Sequence, residues 1–136
     1  MTIRELQDRF VKDMEMFDVW PDKFNYLISE GENLPAECPE WLLPFRIQNC
    51  QSKTCFTAYL KGDKIYTTGW NNSAVMRGII AVTMEMFDNS NSIELKQTDI
   101  DFHIKSELID NLTSMRRAAV EEMIRRINIA PFEDFE

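Results

Sequence analysis

The stretch TCFTAYLKGDKIYTT, residues 54–68, decides the fold because it reads as two β-strands joined by a tight turn. β-Branched and aromatic residues are frequent in both of its halves, residues 54–60 and 64–68. Lys61, Gly62 and Asp63 between them are typical of a hairpin turn. Since an isolated hairpin buries too little apolar surface to be stable, the pattern predicts that helices cover one face of it.

Two helices are predicted before the hairpin. Apolar residues recur at three- and four-residue steps from position 3 to position 17, and Thr2 with Glu5 forms a capping box at the start of this pattern. A second apolar pattern begins near Pro21, which suits a first helical turn, and ends at Gly31. The two helices are expected to form a helical hairpin over the rest of the domain.

The segment after the hairpin is predicted to be helical almost throughout. Asn72 or Ser73 is expected to cap a helix that is apolar around most of its circumference and therefore buried on the sheet. The predicted helical segments are residues 73–87, 92–97, 101–106 and 114–129, and Thr113 or Ser114 is expected to cap the last of them. The ion pairs predicted on the outer face of the last helix are Glu121 with Arg125 and Glu122 with Arg126. The fold class is therefore α+β, with a small antiparallel three-stranded sheet and helices packed mainly on one side.

Length and charge restrict the class of protein further. The 136 residues are expected to form a single domain, 1–136, with a frayed acidic tail from about residue 131. A net charge of −8 argues against nucleic acid as the partner, because phosphate contacts need a positive surface. The chain shows neither a signal peptide nor an apolar run long enough for a membrane span. Together with three cysteines, an odd number, this favours reduced thiols in the cytoplasm.

Periodicity stops between the second helix and the hairpin. Pro35, Pro39 and Pro44 interrupt residues 33–49, which predicts a long extended connection with a short strand near residues 45–48. Long connections in compact domains are often functional. Cys50 follows directly.

Cys50 stands at the mouth of this connection, just before the hairpin. Asn49 tolerates a left-handed backbone, so a tight turn there would present the Cys50 thiol at its tip. Backbone N–H groups and the side chains of Gln51 and Ser52 could stabilise a thiolate, which is the nucleophilic form. Local sequence alone leaves the ordinary alternative open, since most cysteines are small buried apolar residues.

Three motifs in register resemble those of SufE/CsdE-type sulfur acceptor proteins. RIQNCQS, residues 46–52, is similar to the active-site loop R-V-P-G-C-Q-S of that family. GWNNSAVMRG, residues 69–78, resembles G-D-S-D-A-x-I-V-K/R-G, and LTSMR, residues 112–116, resembles L-T-P-S-R. The resemblance implies the fold that these acceptors share with iron–sulfur scaffold proteins of the NifU and IscU type.

The resemblance also implies a function. Such a protein takes persulfide sulfur from a SufS/CsdA-type cysteine desulfurase, stimulates that enzyme and passes the sulfur to an iron–sulfur scaffold. It is an accessory carrier without a cofactor of its own, since pyridoxal phosphate is expected on the desulfurase, and we expect a monomer or weak homodimer. Carried over by position, Cys50 is the persulfide acceptor. Asn49, Gln51, Ser52 and Arg116 would support the loop, and Arg46, Asn72 and Arg77 would contact a partner. A helix start or Arg116 is expected to lower the pKa of Cys50.

The sequence departs from the family pattern at three places. Asn49 replaces glycine, and residues 70–72 replace an acidic segment, which leaves Asn72 to cap the helix. Cys55 stands where the family usually has tryptophan, so space near the loop must be filled by another residue. We expect Cys55 to be a core cysteine rather than a relay, because about five extended residues hold it ~16 Å from Cys50. Cys38 is interpreted as an incidental loop thiol.

Two alternative functions remain open. An iron–sulfur or zinc scaffold would use Cys38, Cys50, Cys55 and His103, although their spacing lacks the pattern of zinc sites. His103 itself is predicted to lie at the surface or at a helix cap. A thiol redox sensor would oxidise reversibly without needing a desulfurase.

Overall fold

The computed structural model describes residues 1–48 and 53–133, and these form an α+β domain. Its antiparallel sheet has the order β1-β2-β3, with Thr54–Lys61 as β1, Lys64–Asn71 as β2 and Ser90–Asn91 as β3. The α-helices are Ile3–Glu15 (α1), Trp20–Glu30 (α2), Ala74–Phe87 (α3), Ser92–Lys96 (α4), Phe102–Lys105 (α5) and Ser114–Ile129 (α6). Short 3-10 helices span Glu40–Phe45, Ile109–Asn111 and Ala130–Phe132. No helix in the described part of the chain has the length and apolarity needed to cross a membrane.

The predicted hairpin is confirmed. Strands β1 and β2 pair from Thr54↔Asn71 to Lys61↔Lys64, around a turn in which Gly62 has a φ of 64°. Glycine adopts this left-handed conformation without the steric cost of a side chain. The register places Cys55 directly opposite Trp70, a pairing that matters for the functional site.

Helices cover one face of the sheet, as predicted. Helix α3 lies on β2, and its residues Ile79 and Ile80 are fully buried. Helix α2 packs on α3 so closely that a Cβ added at Gly78 would lie only 1.9 Å from the Leu27 carbonyl oxygen. Glycine at this position therefore sets how closely α2 can lie on the central helix.

The predicted helix ends hold where they depend on local chemistry. Thr2 and Glu5 form the capping box of α1, and the Thr113 hydroxyl accepts a hydrogen bond from the Arg116 N–H at the start of α6. Of the two predicted caps of α3, Ser73 occupies the N-cap position and Asn72 does not, but the Ser73 side chain makes no capping hydrogen bond. The predicted short strand at residues 45–48 is reduced to one isolated bridge, because a 3-10 helix continues to Phe45.

Two further expectations are corrected by packing. His103 is buried, only 7% exposed, because α5 lies against α1 and the neighbouring Phe102 is part of the core. The predicted Glu121–Arg125 pair does not form, because Arg125 turns to Glu122 at 2.7 Å. The predicted Glu122–Arg126 pair does form, at 2.8 Å. The tail prediction for residues 134–136 lies outside the described residues.

Candidate functional site

The connection that carries Cys50 is closed at its base by backbone contacts. The Ile47 N–H donates to the Thr54 carbonyl oxygen at 2.8 Å, and Arg46 pairs with Cys55 in an isolated antiparallel bridge. The Ile47 side chain is buried, and this burial anchors the chain where it enters the connection. The predicted site residues Asn49, Cys50, Gln51 and Ser52 lie outside the described residues, so their roles stay predictions.

A buried asparagine joins the elements that surround this base. The Asn71 side chain donates from Nδ2 to Thr54 Oγ1 at 2.5 Å, and its Oδ1 accepts from the Ser73 N–H at 2.6 Å. Arg116 Nη2 in turn donates to Ser73 Oγ at 3.1 Å. The network therefore ties the first residue of β1, just after the loop, to the starts of α3 and α6.

The described contact of Arg116 is with Ser73 Oγ, and its support of the loop stays a prediction. Sequence reasoning missed the roles of Asn71 and Ser73. Both lie in the GWNNSAVMRG segment, so their position in that motif was the available signal.

Arg77 holds the segment that follows α2. Its Nη2 donates to the Leu34 carbonyl at 2.6 Å, and its Nη1 donates to the carbonyls of Pro35 at 2.9 Å and Asn71 at 3.3 Å. The Arg77 guanidinium is therefore engaged within the domain, whereas Asn72 beside it is exposed. That these two residues contact a partner stays a prediction.

A small apolar cluster lies on the opposite face of the sheet from α3. Cys55, Trp70 and Leu42 form it, with Cys38 and Phe45 packed against it. Trp70 is 7% exposed, and its indole Nε1 donates to the Pro35 carbonyl at 2.8 Å. Trp70 therefore occupies the space expected beside Cys55, and the sequence contained the signal, because the hairpin turn fixes the Cys55↔Trp70 register.

Cys55 is confirmed as a core cysteine. It is fully buried, and burial raises the pKa of its thiol to about 11, with a further contribution from a hydrogen bond to Cys38. Lys53 and Arg46 oppose this rise but do not overcome it. Because only the thiolate is strongly nucleophilic, Cys55 is poorly suited to act as a relay near neutral pH.

Four cationic side chains belong to the segments that frame the base of the loop. They are Arg46, Lys53, Arg77 and Arg116, and none of them forms a salt bridge with a carboxylate in residues 1–48 or 53–133. The Lys53 ammonium lies 5.9 Å from the centre of the Trp70 ring, and the Arg77 guanidinium carbon lies 6.0 Å from it. No sequence motif predicted a role for Lys53. In a chain of net charge −8, these four cations make the base of the loop locally positive.

No metal centre is formed by the described residues, which contain no group of three or more His, Cys, Asp or Glu side chains placed to hold an ion. The metal set considered from the sequence includes Cys50, which lies outside them. His103 is buried in α5, with no hydrogen-bond partner for its Nδ1 among the described residues.

Comparisons with known proteins agree with the sequence motifs. The family model described as SufE, Fe-S metabolism associated domain, matches residues 8–130. An uncharacterized SufE-like protein of Rhizobium meliloti (strain 1021) is 30% identical over 127 residues, covering 88% of this chain and 90% of that protein. A second uncharacterized SufE-like protein, from Rhizobium etli, is 25% identical, and the match covers 88% of this chain and 85% of that protein.

A solved structure shares the fold. The solution structure of a hypothetical protein from Thermus thermophilus aligns with a TM-score of 0.65, covering 98% of this chain and 100% of that one. At 14% sequence identity the likeness concerns the fold alone.

Proposed function

The chain belongs to the SufE family, a family associated with Fe-S metabolism, and from this premise we propose that Cys50 accepts sulfur from a cysteine desulfurase and passes it to iron–sulfur cluster assembly. The observation that carries the proposal is the position of Cys50. It occupies the cysteine position of the family loop in RIQNCQS, within a connection closed by the Ile47–Thr54 hydrogen bond.

The transfer step needs an accessible thiolate on the acceptor. The Cys50 thiolate attacks the terminal sulfur of a cysteine persulfide on the desulfurase. The sulfur–sulfur bond of that persulfide breaks, a new one forms on Cys50, and the desulfurase cysteine leaves as a thiolate. The exchange resembles thiol–disulfide exchange and requires no external oxidant or reductant.

The described surroundings of the loop favour this chemistry. The cations at Arg46, Lys53 and Arg116 would stabilise negative charge on a nearby sulfur, and a thiol whose pKa is lowered in this way reacts faster near neutral pH. Cys55 does not compete for the sulfur, because it is buried and its pKa is raised to about 11.

Intact mass spectrometry tests the proposal. We expect incubation with a pyridoxal-phosphate cysteine desulfurase and cysteine to add the mass of one sulfur atom, which a reductant removes. Cys50→Ser should abolish the gain, whereas Cys38→Ser, which removes a half-buried thiol of the same chain, should leave it intact.

The same experiment separates the alternatives. A gain that survives Cys50→Ser would overturn the assignment of Cys50, and no gain with an active desulfurase would overturn the carrier function. Stoichiometric zinc or iron in the purified protein would favour a scaffold instead.

A further inference from the structure

Two thiols apart from Cys50 meet on the face of the sheet that lies opposite α3. Cys38 belongs to the segment after α2 and packs against the cluster of Leu42, Cys55 and Trp70. Cys38 and Cys55 are both free thiols, and Cys38 is close enough to Cys55 to contribute to the rise in its pKa. The Cys38 thiol also lies 3.5 Å from the Pro39 carbonyl oxygen. The structure thus brings together two cysteines that the sequence separates by 17 positions.

The two thiols differ in their access to solvent. Cys38 is half-buried and lies in a non-helical segment, whereas Cys55 is fully buried within β1. A reagent from solution therefore reaches Cys38 first. The Cys55 thiol keeps its proton near neutral pH, since its pKa is raised to about 11, and it becomes a nucleophile only when a reactive sulfur is held against it.

A disulfide needs sulfurs about 2.05 Å apart, and Cys38 already packs against the cluster that contains Cys55. Cys38 lies in a non-helical segment, whereas Cys55 lies in β1, which pairs with β2 along its whole length. Any adjustment that brings the two sulfurs together therefore falls on the Cys38 segment.

We propose that Cys38 and Cys55 are a thiol–disulfide pair that a low-molecular-weight disulfide, such as oxidised glutathione, converts reversibly into an intramolecular bond. The Cys38 thiolate attacks one glutathione sulfur, forming a mixed disulfide and releasing one glutathione thiolate. Cys55 then loses its proton and attacks the Cys38 sulfur, which releases the second glutathione. Two thiols are oxidised to one disulfide while one glutathione disulfide is reduced to two glutathione molecules.

The location of the pair gives the modification a consequence for the site. The bond would close a ring over residues 39–54, which contains Cys50 and both ends of its connection. It would also fix the Pro39 segment and the start of β1 together around Trp70. Such a cross-link restricts the unfolded chain, so the oxidised protein should melt about 5 °C or more above the reduced one.

The chain allows a direct test, because each cysteine falls on its own tryptic peptide: Cys38 on residues 24–46, Cys50 on 47–53 and Cys55 on 54–61. The folded Cys50→Ser protein is incubated with excess oxidised glutathione at pH 8, alkylated under non-reducing conditions and digested. We expect the loss of two hydrogens in the intact mass and a cross-linked peptide joining residues 24–46 to 54–61, both reversed by dithiothreitol.

Single variants define the order of the steps. With Cys50→Ser in place, adding Cys55→Ser should leave Cys38 as a stable glutathione adduct, and adding Cys38→Ser should leave Cys55 unmodified. A persistent glutathione adduct on Cys38 when Cys55 is present, or glutathione on Cys55 alone, would overturn the proposal. In protein that retains Cys50, a cross-link from residues 47–53 to 54–61 in preference to the expected one would also overturn it. These outcomes do not depend on sulfur transfer, so either proposal can fail without the other.

Discussion

Trp70 shows how one large side chain restores packing at a position where another is missing. The family usually has tryptophan at the position of Cys55, and the smaller cysteine leaves room beside the strand. In this chain the tryptophan stands on the neighbouring strand, directly opposite Cys55, and covers it together with Leu42. Its indole N–H reaches the Pro35 carbonyl, so the same side chain also holds the segment that carries Cys38.

Replacing Trp70 by alanine should therefore be costly. We expect Trp70→Ala to lower the free energy of unfolding by about 3 kcal/mol or more, because it leaves a cavity over Cys55 and removes one of the two donors to the Pro35 carbonyl. Urea unfolding followed by circular dichroism measures the change. Trp41→Ala is the matched control, since Trp41 is 54% exposed and its loss should change stability by no more than about 0.5 kcal/mol. Equal effects of the two substitutions would contradict this account of Trp70.

Arg116 is the described cation best placed to influence the loop, because it bonds to Ser73 within the network that reaches Thr54. In a Cys38→Ser background, Arg116→Gln should slow alkylation of Cys50 at pH 7 about threefold, because a smaller fraction of the thiol is then ionised. The rate is measured against pH with iodoacetamide. Arg117→Gln removes the neighbouring, exposed charge, which lies 3.9 Å from Asp110 and from Glu121, and should leave the rate unchanged. A Cys50 pKa at or above that of a free thiol in the parent protein would overturn the electrostatic argument.

At the scale of elements, α6 does more than cover the sheet. Arg126 reaches from this helix to the edge of β1, where Nη1 donates to the carbonyls of Phe45 at 2.8 Å and Phe56 at 2.6 Å. Glu122 holds the same guanidinium from one turn earlier. The helix is thereby attached to the end of the 3-10 helix and to the strand on either side of the Cys50 connection.

This attachment predicts different effects for two adjacent arginines that share Glu122. Arg126→Met should cost about 2 kcal/mol of stability, because two carbonyls lose a charged donor while the apolar stem of the side chain is kept. Arg125→Met should cost much less, since Arg125 is 59% exposed and, among the residues that the structure describes, bonds only to Glu122. Chemical denaturation of both variants measures the difference, and a larger loss in Arg125→Met would refute the role of Arg126.

Across the whole molecule, the features that the sequence predicted correctly are those that depend on contacts between neighbouring residues. The capping box at Thr2, the hairpin turn at Gly62 and the cap at Thr113 each depend on contacts within a few residues, and all three are present. Bonds between distant segments were missed, because no periodicity indicates that Arg126 meets a carbonyl 81 positions away. The burial of His103 was missed for the same reason: a short polar segment reads as surface until α1 is placed against it.

The acid stability of the whole domain should reveal that burial. Desolvation lowers the pKa of His103, while Glu121 and Asp101 oppose the shift without reversing it. The imidazole therefore binds a proton near pH 6.5 in the unfolded state but only at lower pH in the folded state. The contribution of His103 to the free energy of unfolding is fully present above about pH 6.5 and falls as the pH drops below it. The loss can reach at most about 1.4 kcal/mol per pH unit for this one group.

Glu122 adds a second, separate pH range over which stability changes. Its pKa is lowered to about 2, chiefly by the hydrogen bond from Arg125 and then by Arg126, so its contribution is present above about pH 4.5 and is lost as the pH falls towards 2. Urea midpoints measured between pH 8 and pH 3 should show both windows. His103→Leu should flatten the plot of urea midpoint against pH between pH 6.5 and 5 and leave the steeper fall at lower pH. Glu122→Gln should flatten the fall at lower pH and leave the change between pH 6.5 and 5. If His103→Leu left the upper window unchanged, the histidine would be solvated and α5 would not be packed as described.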